Sequence, residues 1–333
     1  MKKRWVTEVK NLTFVFQELK RLTKKLIRRK KGRGRPPKHN PTAYAELIVL
    51  KEFKKKDLRS AETDLSKFVV GERVDHSVIN YWERKPEIVN CLKIILFRAG
   101  YLLDRLLTKE YTFVDSTKFT SWKTKTTEVF VCNRIAKETV YPIGASFLKG
   151  SVLAPIKEVV RRGEGELLAD AWFDERKTIE FLFKKGYIPL ICPNKRRSKG
   201  YYRKISRILY KQRREIYRQR GRGESPFGSL TNEFGDRFKA INENCMQARI
   251  LGRIICYQIK ILIRCDDKII SIDVLIIRHA PTTPNFLNQS YLFLLMKRSS
   301  RRWKKRLQMR WKWQRKRLRK EKRKRKQRRA RSK

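Results

Sequence analysis

Acidic residues are scarce in this chain: 32 Asp+Glu stand against 85 Lys+Arg, a formal charge of +53 over 333 residues. A compact protein sustains such an excess only beside a polyanion or under strong salt screening, so nucleic acid is the expected partner. Long apolar runs are missing as well. Stretches such as residues 254–263 are interrupted by Tyr, Gln and Lys and fall short of the roughly 20 apolar residues of a membrane span. The basic N-terminus lacks the apolar core of a signal peptide, so no membrane association is expected and the location is read as cytoplasmic and nucleoid-associated. Histidine is reduced to His39, His76 and His279, and the six cysteines (Cys91, Cys132, Cys192, Cys245, Cys256, Cys265) form no CxxC pair. That pattern argues against a zinc cluster and a disulfide framework and reads the thiols as small buried groups. Any metal would have to be held by carboxylates.

The positive charge is not confined to one end. Residues 297–333 carry 23 Lys+Arg and one acid, a net +22, which leaves +31 on the remainder. With 40% hydrophobic and 11% aromatic residues, that remainder has enough apolar material for a core.

Five segments follow from the patterning. Residues 1–30 form an N-terminal amphipathic helix, with Trp5, Val9, Leu12, Phe16, Leu19 and Leu26 at steps of four and three broken by Thr23; it packs on its own domain or makes a short coiled-coil contact. Residues 31–42 are a basic linker whose Arg33-Gly34-Arg35-Pro36 is AT-hook-like, suited to a narrow A·T-rich minor groove or to generic phosphate binding. Residues 43–108 read as a helical domain, with Ser60 as a helix N-cap, Gly71 as a stop, and Asp75 or Ser77 capping the next helix. It is either a helix-turn-helix-like DNA reader presenting His76, Ser77, Asn80, Arg84 and Lys85, or an ordinary helical subdomain with Tyr81 and Trp82 inside. Residues 109–280 contain β-rich segments at 111–115, 128–132 and 140–144, then alternate helix and strand (155–162, 166–170, 176–185, 187–192). They continue through a long basic helix at 202–220, a helix at 245–263 with Ile250, Ile254, Tyr257 and Ile261 on its apolar face, and a β-like run at 269–277. That order predicts an α/β class with a mixed sheet and flanking helices. Residues 297–333 are a basic tail, disordered or helical, whose Trp303, Trp311 and Trp313 add aromatic contacts to phosphate binding.

Asp115 and Asp170 each close an apolar segment, Phe113-Val114-Asp115 and Leu168-Ala169-Asp170. Two carboxylates at one mouth of a sheet repel as anions, and a divalent cation between them keeps both ionised. The plainer reading is that each caps a turn.

Tyr217, Arg220 and Glu224 follow a Tyr-x2-Arg-x3-Glu spacing. With Asp115 and the segment Ala169-Asp170-Ala-Trp-Phe-Asp174, this resembles the DDE transposases of prokaryotic insertion sequences across residues 110–265. The resemblance implies an RNase H-like catalytic domain preceded by an end-binding domain. Asp115, Asp170 and Glu224 would be the catalytic and metal-binding triad for Mg²⁺, with Mn²⁺ as substitute and two ions in all. Tyr217 and Arg220 would contact DNA near the scissile bond, and Trp172 would stack on an unpaired base or serve as a core aromatic. Asp174 is a reserve carboxylate, cap or supporting group. The implied partners are double-stranded DNA, both the element's terminal repeats and target, and a second protomer in the DNA-bound complex. Where the family often has Lys seven residues past the Glu, this chain has Thr231, and Arg237 and Lys239 are the substitutes within reach in sequence. The alternatives are a non-enzymatic basic DNA-binding protein, an inactive transposase relic, and a ribosomal RNA-binding protein, the last giving no reason for the Tyr217/Arg220/Glu224 spacing.

Overall fold

The computed structural model describes residues 11–24, 26, 38–121, 126–161, 163–194, 199–235, 237–240 and 242–276, with side chains as far as Cys265. The first ten residues, the linker arginines Arg33 and Arg35, and the basic tail lie outside the described residues. The described segments belong almost entirely to one compact unit, Met1–Ser271.

Helix α1 (Leu12–Thr23) buries Val15, Leu19 and Leu22 against α2 (Pro41–Phe53) and α6 (Pro86–Leu106), so its apolar stripe is spent inside its own unit. Between α2 and α6 lie three short helices, α3 (Leu58–Asp64), α4 (Ser66–Val70) and α5 (His76–Glu83). The N-cap of α3 is Asp57 rather than Ser60: the Asp57 carboxylate accepts the Ser60 N–H at 2.7 Å. A carboxylate three residues ahead satisfies that orphan donor and complements the helix dipole. Gly71 ends α4 at φ 90° and Asp75 caps α5.

The sheet begins with the long β1 (Lys109–Ser121), then β2 (Thr127–Ala136) and β3 (Val140–Ser146) as an antiparallel meander. Crossovers through α7 (Leu153–Val159) and α8 (Arg176–Lys184) add β4 (Glu166–Ala169) and β5 (Ile188–Ile191) parallel to β1. The order is β3-β2-β1-β4-β5, and a short β6 (Arg237–Phe238) pairs with the far end of β1. This six-stranded mixed sheet with flanking helices is consistent with an RNase H-like domain.

Two helical expectations need correction. The basic stretch after residue 200 is not one long helix but a chain of four: α9 (Tyr201–Gln212), α10 (Arg214–Arg218), α11 (Arg220–Gly223) and α12 (Ser225–Phe234). The breaks fall at Arg213, which leaves the helical conformation at φ -111° and ψ 35°, at Gln219, and at Glu224, where Pro226 opens the next helix, and the short pieces let the chain bend along the sheet. The β-like run at 269–277 instead continues α13 (Glu243–Ile276). An established helix gains one hydrogen bond for each residue it fixes, which outweighs the modest strand preference of Ile and Val.

From Cys245 to Cys265, α13 is buried on most of its circumference rather than on one face. Its Cys256 thiol donates to the Val49 carbonyl of α2, Gln258 donates to Leu96 of α6 and Pro142 of β3, and the Tyr257 hydroxyl donates to Val140. The helices before the sheet and the sheet itself therefore share one apolar core.

Candidate active site

Parallel pairing of β1 with β4 runs Thr112↔Leu167, Phe113↔Leu168, Val114↔Ala169 and stops there. The next residue on each strand is an aspartate. Asp115 does not close its strand, because β1 continues to Ser121 along β2, but it marks where the parallel ladder opens. Asp115 and Asp170 thus leave neighbouring strands at the same level, and each accepts the following backbone N–H, from Ser116 at 2.9 Å and Ala171 at 2.7 Å. Asp170 also caps a single 3-10 turn, Ala171–Phe173. In Asp115 the cap takes Oδ1 and Oδ2 faces Arg220, whereas in Asp170 the same Oδ1 takes the cap and faces Arg220.

Glu224 arrives from α11, which crosses β1 at Gly223. A Cβ there would stand 2.2 Å from the Phe113 ring, so only glycine permits this approach. The buried Asn133 side chain donates to the Gly223 carbonyl at 3.0 Å, and Arg222 ties α11 to Glu110 at 3.0 Å and to the Ala136 carbonyl at 2.7 Å.

The three carboxylates meet around the Arg220 guanidinium. Its nitrogens lie 3.2 Å from Glu224, 3.7 Å from Asp170 and 3.8 Å from Asp115. Burial works against the Arg220 charge, but Asp170, Asp115 and Glu224 outweigh it and raise its pKa. Asp115 is raised above the ordinary aspartate range, first by burial and further by repulsion from Glu224 and Asp170, against the Ser116 N–H and Arg220. One cation among three acids leaves a net negative site.

Tyr217 lies half-buried on the sheet, its ring edge-on to Tyr210 at 4.8 Å and its hydroxyl 3.4 Å from the Ala169 carbonyl. Here it braces the end of β4 that presents Asp170. Trp172 is 46% exposed, with one face stacked on Phe130 at 5.4 Å. Asp174 is buried in an ion pair with Arg203 at 2.7 Å and accepts the Asn194 N–H at 2.8 Å, so it is a structural tie holding α9 to the β4 end.

Residues 151–259 match the family model of the transposase DDE domain. The match supports a DDE transposase, and that family implies DNA binding and divalent-metal use. It takes in Asp170, Arg220 and Glu224, while Asp115 lies ahead of the matched span. An uncharacterised protein of Aquifex aeolicus (strain VF5) is 25% identical over 260 residues, covering 70% of this chain and 80% of its own length. No solved structure matches the chain significantly.

The carboxylate site fits a divalent cation by its chemistry. Its donors are hard oxygens, its charge is uncompensated, and magnesium is commonly held by one or two carboxylates together with waters and substrate phosphates. Among the described residues, the trio whose ligand atoms all lie within 4.8 Å of one another is Glu62, Asp75 and His76. There, however, Glu62 already takes Arg73 at 2.7 Å and both the backbone N–H and the ring of His76 at 3.0 and 2.9 Å. That trio links α3 to α5.

Arg237 and Lys239 sit away from the carboxylates. Arg237 pairs with Thr120, five residues beyond Asp115, or about 16 Å along the strand. Thr231 turns its hydroxyl back to the Phe227 and Gly228 carbonyls of α12. On α5, Ser77, Tyr81 and Arg84 face outward, Trp82 stacks on Tyr44 at 4.8 Å, and the Lys85 ammonium lies over the Tyr81 ring at 4.4 Å. The Asn80 side-chain oxygen is buried with no hydrogen-bond partner among the described residues. No helix of the described residues is long and apolar enough to cross a membrane. Gly223, Asn133 and Arg222, which set the position of Glu224, were not singled out from the sequence; the Gly-x-Gly preceding the Glu was the available signal.

Proposed function

We propose that this chain is the transposase of a prokaryotic insertion sequence, cleaving the element's ends and joining them to target DNA with Asp115, Asp170 and Glu224 as its catalytic carboxylates. The convergence of all three on Arg220 carries this reading: a strand pair and a helix distant in sequence bring acids together where packing alone gives no reason to concentrate negative charge.

Asp115, Asp170 and Glu224 would hold two Mg²⁺ ions, or Mn²⁺ in their place. Such ions, when bound, activate the attacking oxygen and stabilise the leaving oxygen of a phosphodiester. Burial around Asp115 limits solvent on the sheet side. Arg220 offsets part of the site's negative charge until the DNA phosphate enters, and its planar fork then suits the phosphate oxygens. Tyr217 keeps Asp170 in register through Ala169, and the free face of Trp172 is placed to stack on an unpaired base. Water attacks first, releasing a 3′-hydroxyl; that hydroxyl then attacks target DNA, each step exchanging one phosphodiester oxygen for another. Arg33, Arg35, Asn80, Arg84 and Lys85 are proposed as contacts to the element's terminal repeats. Two ends joined in one event call for a dimeric complex on DNA, at the nucleoid.

The test is incubation of the full chain with a labelled duplex of the DNA flanking its own gene, with Mg²⁺, Mn²⁺ or chelator. Metal-dependent breaks at the element boundary are expected, and each of Asp115→Asn, Asp170→Asn and Glu224→Gln should remove them while retaining binding. Full cutting by any one of these variants would overturn the assignment. Binding without cutting by the wild type would leave a non-enzymatic DNA-binding protein or an inactive relic.

A further inference from the structure

Away from the carboxylates, a cavity of about 690 Å³ opens between the α2–α3 turn, α5, β6 and α13. Its inner cations are immobilised. Lys51 is buried between Glu83 at 2.7 Å and Glu52 at 3.0 Å; Arg249 holds Glu83 and Arg253 holds Glu52, each at 2.9 Å. The outer cations are Lys55, Lys56, Arg59, Arg237 and Lys239, all exposed. Lys56 pairs with Asp64 at 3.1 Å, whereas Lys55, Arg59, Arg237 and Lys239 make no ion pair within 4 Å among the described residues. Both acids in the lining are committed: Glu52 to Lys51 and Arg253, and Asp57 to the N-cap of α3. Asp57 also lies in the field of Arg59 and Lys56, so among the described residues the cations left without a carboxylate beside them are Lys55, Arg237 and Lys239.

Lys55 adds an independent observation. The Lys56 N–H returns to the Lys51 carbonyl and the Lys55 N–H to Glu52, both at 3.0 Å, with Lys55 at φ 56°. This is a Schellman turn with lysine at the left-handed position where glycine is the default. The chain tolerates that conformation at the mouth of a basic cavity, as strained residues do at binding sites.

We propose that this cavity is a phosphate cradle for the backbone of duplex DNA, separate from the carboxylate site, with Lys55, Arg59, Arg237 and Lys239 as its contacts. The cradle rests on the DNA reading above. It explains why Arg237 and Lys239 lie far from the carboxylates: they would grip the duplex away from the scissile bond.

The test measures binding of the full chain to a labelled 20-base-pair duplex of unrelated sequence over a range of salt. Each lost phosphate contact lowers the slope of log K against log salt by about 0.9. Lys55→Gln/Arg237→Gln should therefore flatten the slope by about 2, while the charge-matched Lys157→Gln/Lys177→Gln leaves it near wild type. Lys55→Gly should raise the melting temperature and still flatten the slope by about 1. A lysine serving only the helix end would give the higher melting temperature with an unchanged slope, and that result overturns the cradle, as does equal loss in the charge-matched control. Protection by tripolyphosphate with no change in the duplex slope would mark a small-anion site and overturn it too. Cutting is scored on the same preparations: slope loss without cutting overturns the transposase reading alone, and cutting with an unchanged slope overturns the cradle alone.

Discussion

Gly223 decides where Glu224 can stand. With the Phe113 ring 2.2 Å from where a Cβ would be, Gly223→Ala must push α11 off β1 or turn the ring. Overpacking of this kind costs about 1–3 kcal/mol, and a misplacement of roughly 1 Å costs on the order of 10²-fold in rate. Gly223→Ala is therefore expected to lower cleavage far more than it lowers the melting temperature, and wild-type cleavage in this variant would show that the close approach is not needed. Asp115 makes a second residue-level prediction. Its raised pKa, caused chiefly by burial, means that a proton and a cation compete for the carboxylate at a higher pH than for an ordinary aspartate. Above the raised pKa Asp115 is anionic and available; on the proposed function, a proton would displace the metal as pH falls through it. Mn²⁺ affinity followed by electron paramagnetic resonance should weaken on acidification before an ordinary aspartate, near 3.9, would titrate, and Asp115→Asn should lose that dependence.

Between elements, buried ion pairs join α2, α5 and α13. Glu83 is wholly buried between Lys51 and Arg249, and although burial alone would raise its pKa, those two cations hold it at about 2. A depressed carboxylate stabilises the folded chain above its unfolded pKa, near 4.5, and that contribution is lost as pH falls toward 2. Glu83→Gln would leave the Lys51 ammonium buried with one partner fewer, a loss of about 3–5 kcal/mol. Its melting temperature should drop sharply at neutral pH, and it should lose the wild-type decline in stability between about pH 4.5 and 2. A variant as stable as wild type would mean that water or Glu52 takes over. The elements themselves were readable from periodicity: the five main strands and α8 fall where alternation and helical spacing place them. The breaks at Arg213, Gln219 and Glu224 were not readable, because none of these residues forbids a helix by itself and each bend is set by how the short helices pack on the sheet.

For the whole molecule, charge is the dominant quantity. Removing residues 297–333 takes away +22 and leaves +31, so duplex affinity should fall and its salt slope flatten. The melting temperature of the compact unit Met1–Ser271 should stay within a degree or two; a large drop would show that the basic residues support the fold. Composition, the order of the five main strands and α8, and the Tyr217/Arg220/Glu224 spacing were determined by the sequence alone, because charge counts and periodicities are local and survive without knowledge of neighbours. What the tertiary structure decided was the meeting of Asp115, Asp170 and Glu224 around Arg220, the bracing role of Tyr217, and the burial of α13 between helices that precede the sheet. It also placed Arg237 beside Lys55 rather than beside the carboxylates. Each depends on tertiary packing and strand register, such as the β1–β4 pairing of Thr112 with Leu167, 55 positions apart, beyond the reach of any local pattern.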